Sequence, residues 1–286
     1  MAPFHFKRST RGFTIVELLV VIVIVSILIA MAAVVTRAIT GQQRRSTTAT
    51  RIANVDAALQ QFVIVQKRLP CPADGTLASA NPGAGLEGAR TAAAGCTGDQ
   101  KNGVVPWRAL GLSENDATDG WERRLTLRIP PYLAIDAILD MSPCDPAGGV
   151  VGAQPANALC QPACTAATLA ACMTPSAYLA AKGLTIQNVA GTSVMSPPAT
   201  GAAYVVISHG ETGGGGMLNS GNVYTTTTTD SPQEQVNYVD KAYTAGIYVD
   251  DSLAEAPGAG HFDDIVSRPT ILSVVSKAGL GPRSHP

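Results

Sequence analysis

From Phe13 to Val35 the chain runs 23 residues with Glu17 as its only charge. A helix at about 1.5 Å per residue covers roughly 35 Å over that run, enough for a bilayer core of about 30 Å. Such a segment has to be buried in lipid or against other apolar helices. Lys7, Arg8 and Arg11 precede it. A positive flank predicts a cytoplasmic N-terminus, with everything after the helix on the far side. No second apolar run of this kind follows. A secretory signal peptide fits poorly, because an h-region is about 7–15 residues long and no A-x-A site follows here. A plain single-span anchor leaves Glu17 unexplained. A carboxylate at membrane depth costs a few kcal/mol and asks for a functional reason.

Beyond Val35 the helix is expected to continue. Ile52, Val55, Leu59, Phe62 and Val63 recur at spacings of three and four, the mark of an amphipathic helix. No proline occurs between Phe13 and Leu69, so one helix of about 55 residues, roughly 80 Å, is allowed. Gly41 is its weak point. Leu69-Pro70-Cys71-Pro72 ends it, since proline disfavours helix in the residue before it and lacks an N–H of its own. Residues 73–103 read as a long Ala- and Gly-rich loop. Leu125-Thr126-Leu127-Arg128-Ile129 alternates apolar and polar residues and predicts a half-buried strand. Trp107 and Trp121 read as anchors between helix and sheet. Residues 130–200 read as an insertion, with Leu133–Met141 a short helix or strand and weakly helical stretches at Thr165–Met173 and Ser176–Lys182. Ala203-Tyr204-Val205-Val206-Ile207-Ser208-His209-Gly210 is the clearest strand. With Asn222–Thr229 it predicts a hairpin. Further strands are expected within 242–249 and 263–267, and a closing helix at Ile271–Ala278 with Gly279 as its stop.

Six cysteines, Cys71, Cys96, Cys144, Cys160, Cys164 and Cys172, follow the apolar run. An even count beyond an export helix reads as disulfides in an oxidising compartment. Cys71–Cys96 is the expected pair, closing the 73–103 loop, with the other four paired among themselves. A metal reading of Cys160-x3-Cys164 lacks a nearby His and a CxxC pair. Only 14% of residues are charged, and the net charge of −1 shows no clustered basic face for nucleic acid.

Catalytic patterns are weak. Ser208-His209 has no G-x-S-x-G elbow, and neighbours in a strand point to opposite faces. His209 reads as a strand-end histidine bonded to the adjacent loop. Gly213–Gly216 is no phosphate loop, since no G-K-[ST] follows. His261 with Asp263 and Asp264, or Asp250 with Asp251, read as candidate cation ligands; Asp263 and Asp264 are the calcium candidates. No other cofactor is expected, and no enzyme activity.

Gly12-Phe13-Thr14-Ile15-Val16-Glu17-Leu18, behind its basic leader, resembles the prepilin signature of type IV pilins and type II secretion pseudopilins. Two further stretches are similar to segments of pilin-like proteins. One is Pro106–Leu112 with the Asp119–Ile129 run, which lacks the family's final aromatic. The other is Val205–Gly210. The resemblance implies a fold and a life history. A prepilin peptidase cuts between Gly12 and Phe13, and the new amine of Phe13 is N-methylated. Glu17 then meets the positive N-terminus of a neighbouring subunit; a carboxylate among apolar helices needs a partner charge. The expected class is α+β: a long N-terminal helix, half transmembrane and half amphipathic, packed on an antiparallel sheet with a disulfide-rich insertion. The expected parts are a cleaved leader (1–12), the helix (13–68) and an extracytoplasmic domain (69–286) carrying the insertion at 130–200. The implied partners are other pilin or pseudopilin subunits, the prepilin peptidase, the inner-membrane assembly platform and the membrane itself. The implied location is the inner membrane, single-pass with a periplasmic domain, then a cell-surface or periplasmic filament. A membrane-anchored adhesin, binding protein or enzyme is the competing class, told apart by whether the leader is removed.

Overall fold

The computed structural model describes residues 14–144, 182–197, 200–225, 231–243, 246–254, 258 and 260–282. The leader, Gly12, Phe13, Cys160, Cys164, Cys172, the expected helices at 165–182 and most of Thr225–Thr229 lie outside the described residues. The chain divides into two compact units, Met1–Gln43 and Arg44–Pro286.

Helix α1 spans Ile15–Gln66 and passes Gly41 without a break. In the first unit its apolar side chains stand exposed, from Ile15 to Met31. Ser26 Oγ donates to Ile22 O at 2.7 Å, and Thr40 Oγ1 to Thr36 O at 2.8 Å. Among the described residues no helix is long and apolar enough to cross a membrane. At about 1.5 Å per residue the described apolar stretch Ile15–Met31 covers roughly 25 Å, short of a core of about 30 Å.

In the second unit the helix becomes a core element. Ile52, Val55, Leu59 and Val63 are buried in one cluster with Val104, Leu125, Leu127 and Val206. The helix stops at Lys67, whose backbone is left-handed (φ 58) while its N–H still reaches Val63 O at 2.8 Å. The two prolines then hold the chain extended.

The main sheet has five strands, all antiparallel: β1 (Ala73–Asp74), β4 (Gly103–Val104), β6 (Thr126–Arg128), β9 (Val205–Ser208) and β12 (Ile265–Ser267), in that order. β2 (Arg90–Thr91) pairs with β3 (Gly95–Cys96), and β5 (Arg123–Arg124) pairs with β10 (Met217–Leu218). A separate sheet holds β7 (Thr185–Gln187), β8 (Ser193–Met195) and β11 (Ile247–Val249), with β11 parallel to β7. Helix α2 (Ile271–Lys277) follows, with Thr270 Oγ1 accepting from Ser273 N at 3.1 Å as its cap. Gly279 (φ 67) stops it as expected.

β9 explains its own sequence. Val206 enters the main core, while Val205 and Ile207 join a second cluster with Leu184, Ile186, Met195 and Tyr248. A strand buried on both faces needs the continuous apolar run seen here.

Four expectations need correction. The 125–129 strand is not half-buried: Thr126 and Arg128 are buried too. The second layer covers their face, and Arg128 donates to Gln100 O, to Val239 O (2.7 Å) and to Lys241 O (3.1 Å). Among the described residues, the strand at 205–210 forms no hairpin with 222–225. Its neighbours are β6 and β12, and Val223 makes only an isolated bridge to Met217. The start of the 130–200 region is no insertion, because Leu133, Ile138, Leu139, Met141 and Cys144 lie in the main core. Trp107 is a core residue, but Trp121 is only half-buried and outside the core, with Arg123 packed 5.8 Å from its ring.

The Cys71–Cys96 disulfide is present, with Cα atoms 5.5 Å apart. Cys144 is also disulfide-bonded.

Candidate functional site

Two places carry chemistry. The first is the start of α1. Thr14 N donates to Glu17 Oε2 at 3.1 Å, Thr14 Oγ1 donates to the same oxygen at 3.2 Å, and Glu17 N donates to Thr14 Oγ1 at 3.2 Å. This is a capping box, in which Ser or Thr and a Glu three residues later satisfy each other's free N–H groups. The carboxylate also sits at the positive end of the helix dipole. Thr14 was missed as a functional residue; the T-x-x-E spacing before an apolar run is the signal that finds it.

The second is a buried polar cluster at one end of β9 and β12. The Asp119-Gly120-Trp121 turn reaches the helix first. Gly120 N donates to Thr48 Oγ1 at 2.8 Å, and Arg51 Nη1 donates to Thr118 O and Asp119 O at 3.0 and 2.9 Å. A side chain at Gly120 would meet Arg44 O at 2.4 Å, so only glycine allows this approach. Behind the turn Asp119 Oδ2 accepts from Ser208 Oγ at 2.8 Å, and Oδ1 accepts from the N–H groups of Trp121 and Arg123 at 2.8 and 2.9 Å. Burial drives the Asp119 carboxyl upward, against the Arg123 charge and these hydrogen bonds.

Ser208 is therefore tied to a carboxylate and not to His209. His209 turns to the other face, with Nε2 2.9 Å from Thr126 Oγ1, so its partner is the neighbouring strand and not the adjacent loop. Its Nδ1 has no hydrogen-bond partner among the described residues and lies 3.8 Å from Asp264 Oδ1. Burial, reinforced by Arg123 and Arg128, pushes this imidazole down to about 3, so it is neutral at pH 7.

Beyond His209 the chain turns at Gly210 (φ 56), where a side chain would meet Asp263 O at 2.2 Å. Asp263 Oδ2 accepts from Thr212 N at 2.7 Å and Oδ1 from Thr212 Oγ1 at 3.0 Å. Asp263 N donates to Glu234 Oε1 at 2.8 Å, and Glu234 Oε2 lies 2.8 Å from His261 Nδ1. One ligand-type atom from each of Glu234, His261 and Asp263 lies within 4.8 Å of the others, and all three residues are buried. Glu234 comes from a 3-10 turn, Glu234–Asn237, whose first N–H donates to Ser231 Oγ at 3.1 Å. Sequence reading missed Glu234, which is 27 residues from His261 and belongs to no spacing motif.

The expected calcium pair comes apart. Asp263 faces Thr212 and Glu234, whereas Asp264 accepts from Asn237 Nδ2 at 2.8 Å. Adjacent residues of an extended chain point to opposite sides. Asp250 and Asp251 also part: Asp250 pairs with Arg268 at 2.5 Å, and Asp251 accepts from Val189 N at 3.0 Å. A separate cavity of about 510 Å³ is lined by Arg128, Gln187, Lys241 and Tyr248 among others.

Compared with known families, residues 7–33 match the model of the prokaryotic N-terminal methylation motif. The chain thus carries a prepilin signature of the type IV pilin and pseudopilin kind. No curated protein matches it. No solved structure matches it either.

Proposed function

We propose that this chain is a structural subunit of a type IV pilus or a related filament, a minor pilin or pseudopilin, with no catalysis of its own. The observation that carries the reading is the methylation motif at residues 7–33. Prepilin peptidase cleaves between Gly12 and Phe13, Phe13 is N-methylated, and the mature chain begins one residue before the Thr14–Glu17 capping box. The apolar run Phe13–Val35 then holds the subunit in the inner membrane, with its second unit on the periplasmic side. Exposed side chains from Ile15 to Met31 support an apolar surrounding, lipid before assembly and neighbouring helices after it. Ser26 supports it too, because a hydroxyl bonded to its own helix carbonyl leaves less unpaired polarity in such a medium.

Glu17 has two tasks in this account. Within its own chain it caps α1. In the filament it faces the amine of a neighbouring subunit, which offsets the cost of taking a carboxylate out of water. In cells making the cognate filament, Glu17→Ala should still be processed but be absent from sheared filaments. Normal incorporation of Glu17→Ala would overturn the assembly role.

The 510 Å³ cavity favours a second reading, an anchored binding protein or adhesin, since pockets of that size suit small ligands. A leader that stays attached in cells with active peptidase would favour it.

A further inference from the structure

We propose that Glu234, His261 and Asp263 form a binding site for one first-row divalent cation, with zinc as the preferred ion. The donor set is two carboxylates and one imidazole nitrogen, drawn from two separate segments. Glu234 is 1% exposed, Asp263 2% and His261 4%, so water does little to screen the two negative charges. Among the described residues no lysine or arginine forms an ion pair with Glu234 or Asp263. Among the described residues the ion pair these two carboxylates make is that of Glu234 with the His261 imidazole. The cluster is thus short of positive charge, and a divalent cation supplies it.

The chemistry selects the metal. Calcium takes six to eight oxygen donors and leaves imidazole aside. Zinc accepts His nitrogen with Asp or Glu oxygen at about 2.0–2.2 Å in four-coordinate sites. Three protein donors that include one imidazole nitrogen suit zinc and leave its fourth position to water. Each carboxylate is already oriented: Asp263 by the Thr212 N–H and hydroxyl, Glu234 by the Asp263 N–H. Carboxylate oxygens with one donor each keep a lone pair for a metal. On binding, the ion replaces the proton between His261 Nδ1 and Glu234 Oε2. It then pins the segment before β12 to the 3-10 turn at Glu234–Asn237.

The test uses the full chain in detergent, stripped with a chelator and titrated with zinc, cobalt, manganese or calcium chloride. Wild type should take up one zinc per chain and melt at a higher temperature with zinc, while calcium at the same concentration leaves the melting temperature unchanged. Cobalt should give visible d–d absorption that zinc abolishes. His261→Gln keeps a polar group beside Glu234 and should lose the zinc uptake while melting with the apo wild type. Absence of stoichiometric zinc or cobalt binding by folded wild type would overturn the proposal, and so would calcium bound in preference to zinc. Equal zinc binding by a folded His261→Gln would overturn it as well. Should that variant not fold, the cobalt spectrum of wild type decides alone, since an imidazole nitrogen in the site shifts it from that of an all-oxygen site.

Discussion

Helix α1 carries two kinds of apolar residue. Ile22, Ile24, Leu28 and their neighbours up to Met31 stand exposed, whereas Ile52, Val55, Leu59 and Val63 are closed into the core of the second unit. Propensity does not separate the two halves, because both are helical and β-branched residues occur in each. The difference lies in what surrounds them. The later half finds its apolar partner in β4, β6 and β9 of the same chain. The earlier half has none among the described side chains of its own unit; under the proposed function its partner is lipid, or the same helix in other subunits. One half specifies a domain, the other an environment.

The largest effect that sharpens this contrast is truncation. Leu59→Ala should cost the globular unit about 2–5 kcal/mol, read by denaturant unfolding followed through Trp107 and Trp121 fluorescence. Ile24→Ala, removing similar volume from an exposed position, should leave that unfolding curve unchanged. Equal losses would erase the distinction. Next is the Cys71–Cys96 bond, which ties the end of α1 to β3. Replacing both cysteines by serine should lower stability by about 3.5 kcal/mol for a separation of 25 residues, seen as a lower melting temperature.

The third effect is one of pH. His209 is held near 3 in the fold against an ordinary value of 6.5. Its neutral form is favoured by folding, so its contribution is fully present above about 6.5 and drains away as pH falls toward 3. The loss should be on the order of a few kcal/mol across that window. His209→Gln should flatten this part of the stability–pH curve, measured by urea midpoints between pH 4 and 7. A variant curve parallel to wild type would show that other groups cause the acid loss. The smallest effect belongs to Gly41, where a methyl group meets nothing within 4 Å. Gly41→Ala should strengthen the helix locally by about 0.5–1 kcal/mol, visible as slower amide exchange around residue 41.

The legible part of the chain was the part with a strong period or a hard stop. The helix from Ile15 to Gln66, its end before Pro70, the run at Val205–Ser208, the closing helix and the Cys71–Cys96 pair were all readable from local pattern. Pairing was not. Val205–Ser208 reads locally as half of a hairpin, but its partners come from 126–128 and 265–267, and no local signal encodes such distant register. Alternation at Thr126 and Arg128 implies solvent on one face, whereas backbone carbonyls of Val239 and Lys241 lie there and accept from the guanidinium. The acidic cluster failed for the same reason. Asp263 was visible, but Glu234 joins it only through folding, and Asp264 next door points away. At the N-terminus the carboxylate of Glu17 stood out by charge, while its cap partner Thr14 was hidden by an unremarkable side chain.

The claim that governs all of this is that the N-terminal signature is processed and that the exposed half of α1 is made for assembly. Intact mass and N-terminal sequencing of the protein from membranes of cells with active prepilin peptidase test it most directly. The account predicts a chain beginning at N-methylated Phe13, and an unprocessed chain in Gly12→Ala. A wild-type chain that still carries residues 1–12 in those cells would contradict it.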